Sequence, residues 1–142
     1  MRHTPIPKAL PTLNRERLRA LLAPHSLAVV NANDLPTTNS DGTTALVPNS
    51  DLFYLTSVEQ EQTILLLAPD SCDEKLREIL FVRETSELLE VWEGHKLTKE
   101  EARAVSGIAR VEWLAGSYRY TSSSTKCSCT RSRYSSGEGG IT

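Results

Sequence analysis

The side chains most able to ligate a metal or to serve as nucleophile or base are three histidines and three cysteines, and their placement brings few of them together. His3 lies in the first few residues, His25 follows the helix-ending Pro24, and His95 sits in a turn beside Gly94. Each stands alone and is read as an ordinary solvated histidine, because a metal site needs three or more convergent ligands. Cys127-Ser128-Cys129 has one intervening residue, tighter than the usual two to four, and no second ligand pair follows it. Glu59, Glu61, Asp70, Asp73 and Glu74 fall on connections between elements, where a solvated loop accounts for them without any general acid or base. The chain contains no G-x-S-x-G, no P-loop and no H-E-x-x-H. No catalytic set and no metal set are therefore expected within it.

Length and composition fit one soluble domain. A chain of 142 residues can bury roughly two-thirds of its unfolded surface. Hydrophobic residues at 39% and charged residues at 24%, with Leu, Ile and Val in separated clusters, exclude collagen, coiled coil and pervasive disorder. The net charge of −2 hides a split: residues 115–142 carry +3 and residues 1–114 carry −5. Met1 to Lys8 holds prolines and no apolar segment, so no signal peptide is expected. The longest apolar run, Ile64 to Ala68, is five residues, far short of the roughly twenty that span a bilayer. Three unpaired-looking cysteines suit a reducing compartment, so a cytoplasmic location without membrane contact is expected.

The elements that would position any site follow from periodicity. Asn14 is placed to cap a helix with apolar Leu18, Leu21 and Leu22 and a Leu13–Leu18 staple, ended by Pro24. Ser26 to Asn31 predicts a buried strand, and Asn33 to Pro48 a long loop with room for a short strand at Thr44–Val47. Leu52–Thr56 and Gln62–Leu67 are expected to form a hairpin across Ser57–Glu61. The second of these, apolar at every position from Ile64, belongs in the centre of the sheet. Further strands are expected at Ile79–Arg83 and Leu88–Trp92, with Glu93-Gly94-His95 turning the chain. Thr98 and Glu101 make a capping box, Leu97 and Ala102 its staple, and Gly107 a left-handed stop, which predicts a helix over 98–106. Ile108–Leu114 returns as a strand or short helix. The sum is an α/β domain whose short links make the sheet partly antiparallel.

From Ala115 the character changes. Eight serines and four threonines accompany only Ala115 and Ile141 as aliphatic side chains, so residues 115–142 are expected to be a disordered basic tail after a domain over 1–114. Arg119, Lys126, Arg131 and Arg133 with Tyr118, Tyr120 and Tyr134 have the composition of a weak single-strand binder. The favoured reading is a flexible end, and no nucleic-acid partner is expected.

Asn49-Ser50-Asp51-Leu52-Phe53-Tyr54-Leu55-Thr56, then Thr63-Ile64-Leu65-Leu66-Leu67, then Glu90-Val91-Trp92-Glu93-Gly94, resemble in order and rough spacing the amino-terminal domain of the Xaa-Pro aminopeptidases (aminopeptidase P), the family that also contains prolidase and creatinase. The likeness runs over about residues 10 to 114. It implies a mixed central sheet flanked by helices on both faces, of ribonuclease H-like shape. It also implies a non-catalytic role: hydrolysis in that family uses two metal ions, manganese in the parent enzyme, held by a catalytic domain that should follow, whereas this chain stops at Thr142. A frameshift or truncation near Ala115, or a natural short protein with a polar tail, are both compatible with that ending.

On the family pattern Asn49, Ser50, Asp51, Phe53, Tyr54, Leu55 and Thr56 are structural. By composition alone Trp92 is a core aromatic beside a glycine turn. The resemblance gives Trp92, with Gly94, a different role, on a loop that reaches the active-site cleft of a neighbouring subunit and helps shape substrate binding. Two departures stand out: Leu46-Val47-Pro48 replaces the family's aromatic-Arg-Gln, and Ser57 replaces a glycine, so that turn must manage without glycine's freedom. The expected function is that of a domain which helps oligomerise a parent metallopeptidase, or contacts its catalytic domain, and narrows its cleft for short peptides with proline in second position. The alternative is a free-standing interaction module of the same fold, with a tail able to bind nucleic acid.

Overall fold

The computed structural model describes residues 6–35, 45–86, 90–91 and 94–117. Its elements run α1 (Ala9–Leu21), β1 (Ala28–Asn31), α2 (Ser50–Thr56), β2 (Ile64–Leu67), a 3₁₀ turn (Glu74–Leu76), β3 (Glu78–Val82), α3 (Lys99–Ser106), β4 (Val111–Trp113) and a second 3₁₀ turn (Leu114–Gly116). The four strands form one mixed sheet in the order β1-β2-β3-β4. β2 pairs antiparallel with both β1 and β3, and β4 joins β3 in parallel after the crossover through α3. The α/β class and the central place of β2 are as expected: Leu65, Leu66 and Leu67 are all buried, one after another on opposite faces.

Alternation along the strands divides the core. Leu65, Leu67, Leu80, Val82 and Val111 face one way and meet Leu52 and Leu55 of α2, Ala102 of α3, and Leu18 and Leu22 at the end of α1. Leu66, Ile79 and Phe81 face the other way with Ala68, and among the described residues Leu76 and Leu114 of the two 3₁₀ turns pack against them. Among the described residues α1, α2 and α3 thus serve the first face, and the two 3₁₀ turns pack on the second.

The stretch Leu52–Thr56, expected as a strand in a hairpin, lies within the helix Ser50–Thr56. Asn49 in extended conformation accepts from the N–H groups of Asp51 (2.9 Å) and Leu52 (3.1 Å), which is an N-cap, and Asp51 sits in the first turn where a helix favours an anion. The buried positions are Leu52, Leu55 and Thr56, at helical spacing, while Tyr54 between them is exposed. Five residues of high strand propensity lost to one cap and a three-to-four residue period. The 57–61 segment consequently links α2 to β2 and closes no hairpin.

The α1 expectation also shifts. The helix begins at Ala9 after Lys8, which contributes no side-chain cap, and Asn14 lies buried within it, its Nδ2 donating to Tyr54 O at 3.0 Å. Leu13 is exposed and makes no staple. Ala45–Val47 is not strand, and Thr44 lies outside the described residues. Of the expected strand Leu88–Trp92, the described Glu90 and Val91 are helical. In contrast, α3 forms with both capping-box bonds present, and Gly107 at φ 73° stops it. A Cβ on Gly107 would meet Thr12 Oγ1 of α1 at 2.9 Å, so this glycine serves both conformation and close approach.

Ser57 ends α2 in the left-handed region at φ 57°, its N–H donating to Phe53 O at 2.7 Å. A non-glycine residue there carries a steric cost that glycine would not. Ser57→Gly is expected to raise stability by about 0.5–1 kcal/mol, read as a melting-temperature increase of a few degrees by circular dichroism; an unchanged or lower value would contradict the strain argument.

Candidate functional site

The segment leading from Glu90 to Thr98 carries the candidate site, and Trp92 itself lies outside the described residues. Gly94 is described: its φ is 81° and its N–H donates to Glu90 O at 3.0 Å. Nothing stands within 4 Å of where a Cβ would be, so conformation, not space, calls for glycine here. His95 follows, with Nδ1 2.8 Å from Glu90 Oε1 and Nε2 3.3 Å from Glu101 Oε2. The hydrogen bond to Glu90 and the charge of Glu101 raise the His95 pKa above its ordinary value. The capping bond from Thr98 N–H and the nearby imidazole hold Glu101 low.

This imidazole ties the turn to the first turn of α3, in water and therefore weakly. Because the folded pKa is raised, the contribution is complete below the unfolded value and fades as pH rises through the folded one. An NMR titration is expected to place His95 above about 6.5, and Glu101→Gln to bring it down; a value at or below the unperturbed one would remove the His95 contacts.

Beyond His95 the segment is anchored to the connection before β2. Lys96 Nζ lies 2.5 Å from Glu61 Oε1, and Arg83 Nη1 at the end of β3 lies 3.3 Å from the same oxygen. The Glu61 side chain is 7% exposed. Burial works against its charge, but the Lys96 hydrogen bond and charge, with Arg83, outweigh that and hold its pKa below the ordinary carboxylate value. Next to it Gln60 Oε1 accepts the Leu97 N–H at 2.8 Å, while its Nε2 is buried without a hydrogen-bond partner among the described residues. Gln62 completes the connection with φ 53°. Glu61, expected as a solvated loop charge, is instead the buried anion to which the exit of the 90–95 turn is fastened.

A second buried charge was not foreseen. Arg15 of α1 is fully buried; its Nε pairs with Glu78 at the start of β3, and its Nη1 donates to Leu55 O (2.6 Å) and Ser106 O (2.9 Å). Those carbonyls belong to the last turns of α2 and α3, where acceptors lack intrahelical partners and the helix dipole favours a cation. Asn14 does the same for Tyr54 O. One turn of α1 therefore closes two helix ends over the sheet.

The family-motif residues separate by role. Asn49 caps, Leu55 and Thr56 are buried, and Thr56 Oγ1 donates to Leu52 O at 2.7 Å and accepts from Val58 N–H at 3.2 Å. His25 is a turn residue at φ 59° whose N–H donates to Asp70 at 2.7 Å. Among the described residues no group of three His, Cys, Asp or Glu is arranged to hold a metal ion. The described residues do not fit a dinuclear centre. No helix among them is long and apolar enough to cross a membrane. Cys127, Cys129 and the basic tail lie outside the described residues.

Three comparisons with known proteins bear on this arrangement. The family model described as aminopeptidase P, N-terminal domain, matches residues 12–130. No curated protein matches the chain in sequence. Among solved structures, a putative aminopeptidase P from Bacillus anthracis is similar at 28% identity with a TM-score of 0.74, over 82% of this chain and 27% of that one. Pseudomonas aeruginosa aminopeptidase PepP follows at 25% and 0.70, over 78% and 25%. An Escherichia coli aminopeptidase P variant in complex with substrate, at 23% identity and 0.70 over 80% and 26%, shares the fold. The chain thus spans about a quarter of the length of the solved structures it resembles.

Proposed function

Since this chain belongs to the aminopeptidase P N-terminal domain family, we propose that it acts as the non-catalytic amino-terminal part of a Xaa-Pro aminopeptidase, a metallopeptidase that removes the residue ahead of a proline. The observation that carries this reading is the family match over residues 12–130 beside a span of only a quarter of each solved relative. Cleavage and the two manganese ions belong, on this proposal, to a catalytic domain outside these residues, and a proline-containing peptide is the parent's substrate. This domain supports oligomerisation or contacts the catalytic domain, and the Trp92–Gly94 loop narrows the cleft. The anchoring of Lys96 to Glu61 and of Leu97 to Gln60 supports that last role, because a loop that shapes a cleft must leave its scaffold from a rigid base. The same reading places the chain in the cytoplasm.

The test joins the chain to a catalytic domain. Alone, with manganese and a peptide carrying proline in second position, it is expected to release no amino acid. Joined to an aminopeptidase P catalytic domain it is expected to support turnover, with Trp92→Ala raising KM more than it lowers kcat. Stoichiometric metal binding with turnover by the isolated chain would overturn the proposal.

A further inference from the structure

Five of the eleven lysines and arginines among the described residues line one groove, in a chain whose residues 1–114 carry −5. The groove has a volume of about 770 Å³ and is walled by Arg19 at the end of α1, Glu74 and Lys75 of the first 3₁₀ turn, Arg77 and Glu78 entering β3, Arg103 of α3, and Ala109 and Arg110 on the way to β4. Four separate stretches of chain contribute these cations, so the fold assembles them. Glu78 is already matched by the buried Arg15. Arg77, Arg103 and Arg110 meet the carboxylates of Glu74, Glu100 and Glu112 at 3.6, 3.3 and 3.5 Å, and Nε of Arg77 and of Arg103 donates to Ser71 O and Ala109 O, each at 3.2 Å. Arg19 and Lys75 have no ion pair among the described residues.

Cations gathered around a concavity repel one another and concentrate a positive potential there, which an anion relieves. The lining selects the kind of anion. It offers no aromatic ring on which a base could stack, and Ala109 is its one apolar residue, so neither a nucleic-acid strand nor an apolar organic ligand finds a matching wall. Guanidinium forks match the paired oxygens of phosphate, and four of the five cations are arginines. We infer that this groove is a binding site for a compact polyanion bearing adjacent phosphate groups, held among Arg19, Lys75, Arg77, Arg103 and Arg110.

The probe is inorganic triphosphate, titrated into the full chain at physiological salt and followed by two-dimensional amide NMR. Saturable one-to-one binding is expected, with the largest shifts at Arg19, Lys75, Arg77, Arg103 and Arg110, and weakening as salt rises. Arg19→Gln together with Lys75→Gln breaks no hydrogen bond or ion pair described above, and is expected to weaken binding by at least about tenfold, the loss of one charge-assisted contact or more, with an unchanged melting temperature. Shifts confined to residues 118–142, no saturation, or equal affinity in the double variant would each overturn the assignment.

Discussion

Replacing Arg15 with methionine is expected to lower the melting temperature of this domain by about 10–20 °C, from a loss of about 3–5 kcal/mol. Methionine fills much of the same volume, so the loss is electrostatic and not a cavity. It would strand the Glu78 carboxylate, which is only 20% exposed, and remove the Arg15 donor from the carbonyls of Leu55 and Ser106. A total stability of about 5–15 kcal/mol makes such a loss a large fraction of the whole. Arg15→Lys keeps the charge but not the fork, and is expected to fall between the two. Adding Glu78→Leu to the methionine variant should recover part of the loss, since an apolar pair leaves no buried carboxylate behind. Urea unfolding with a shifted midpoint and an unchanged slope checks the same point. A methionine variant melting within about 2 °C of the parent would show that the guanidinium contributes little to joining the helices.

The elements that could be foreseen are those in which local signals agree. α3 has a capping box, a staple and a glycine stop pointing to one answer, and it forms as expected. β2 is an unbroken apolar run and sits at the sheet centre. For α2 the signals conflict: Leu52 to Thr56 favour a strand by composition, while Asn49 and Asp51 favour a helix start, and seven residues are too few for periodicity to decide. Arg15 left a trace that could have been followed, for it shares one helical stripe with Pro11, Leu18 and Leu22, where a charge needs a buried partner. Its partners Leu55, Glu78 and Ser106 are 40, 63 and 91 residues away, and no local pattern names them. Glu61 was hidden for the same reason: an acidic residue in a short link is usually solvated, and only the tertiary placement of Arg83 and Lys96 makes it an anchor. The groove of five cations is likewise a product of topology, since its residues are scattered from position 19 to position 110.

Glu61→Gln is the variant expected to couple stability to the candidate site. The amide keeps the shape but removes the charge that Lys96 and Arg83 share, and with side chains only 13% and 27% exposed these cations rehydrate incompletely. A loss of about 2–3 kcal/mol follows, less than for Arg15 because both partners still reach water. The pH dependence carries a second signature. The Glu61 pKa is lowered in the folded protein, so its contribution is present above the unfolded value near 4.5 and is lost as pH falls through the folded one. Between those values the parent should lose stability on acidification more steeply than Glu61→Gln, which has no carboxylate there to protonate. Amide exchange locates the effect: the Leu97 N–H, bonded to Gln60 Oε1, is expected to exchange faster in the variant, whereas Leu66 in the central strand keeps the protection its remaining global stability allows. Parallel acid profiles, or a Leu97 amide accelerated no more than Leu66, would mean that Glu61 supports the domain as a whole and does not hold the exit of the 90–95 turn. If the expected pattern is found, Lys96 and Leu97 are held by a connection 35 residues earlier in the chain through its buried carboxylate, and on the proposed function softening that base should raise KM in a joined enzyme before it touches kcat.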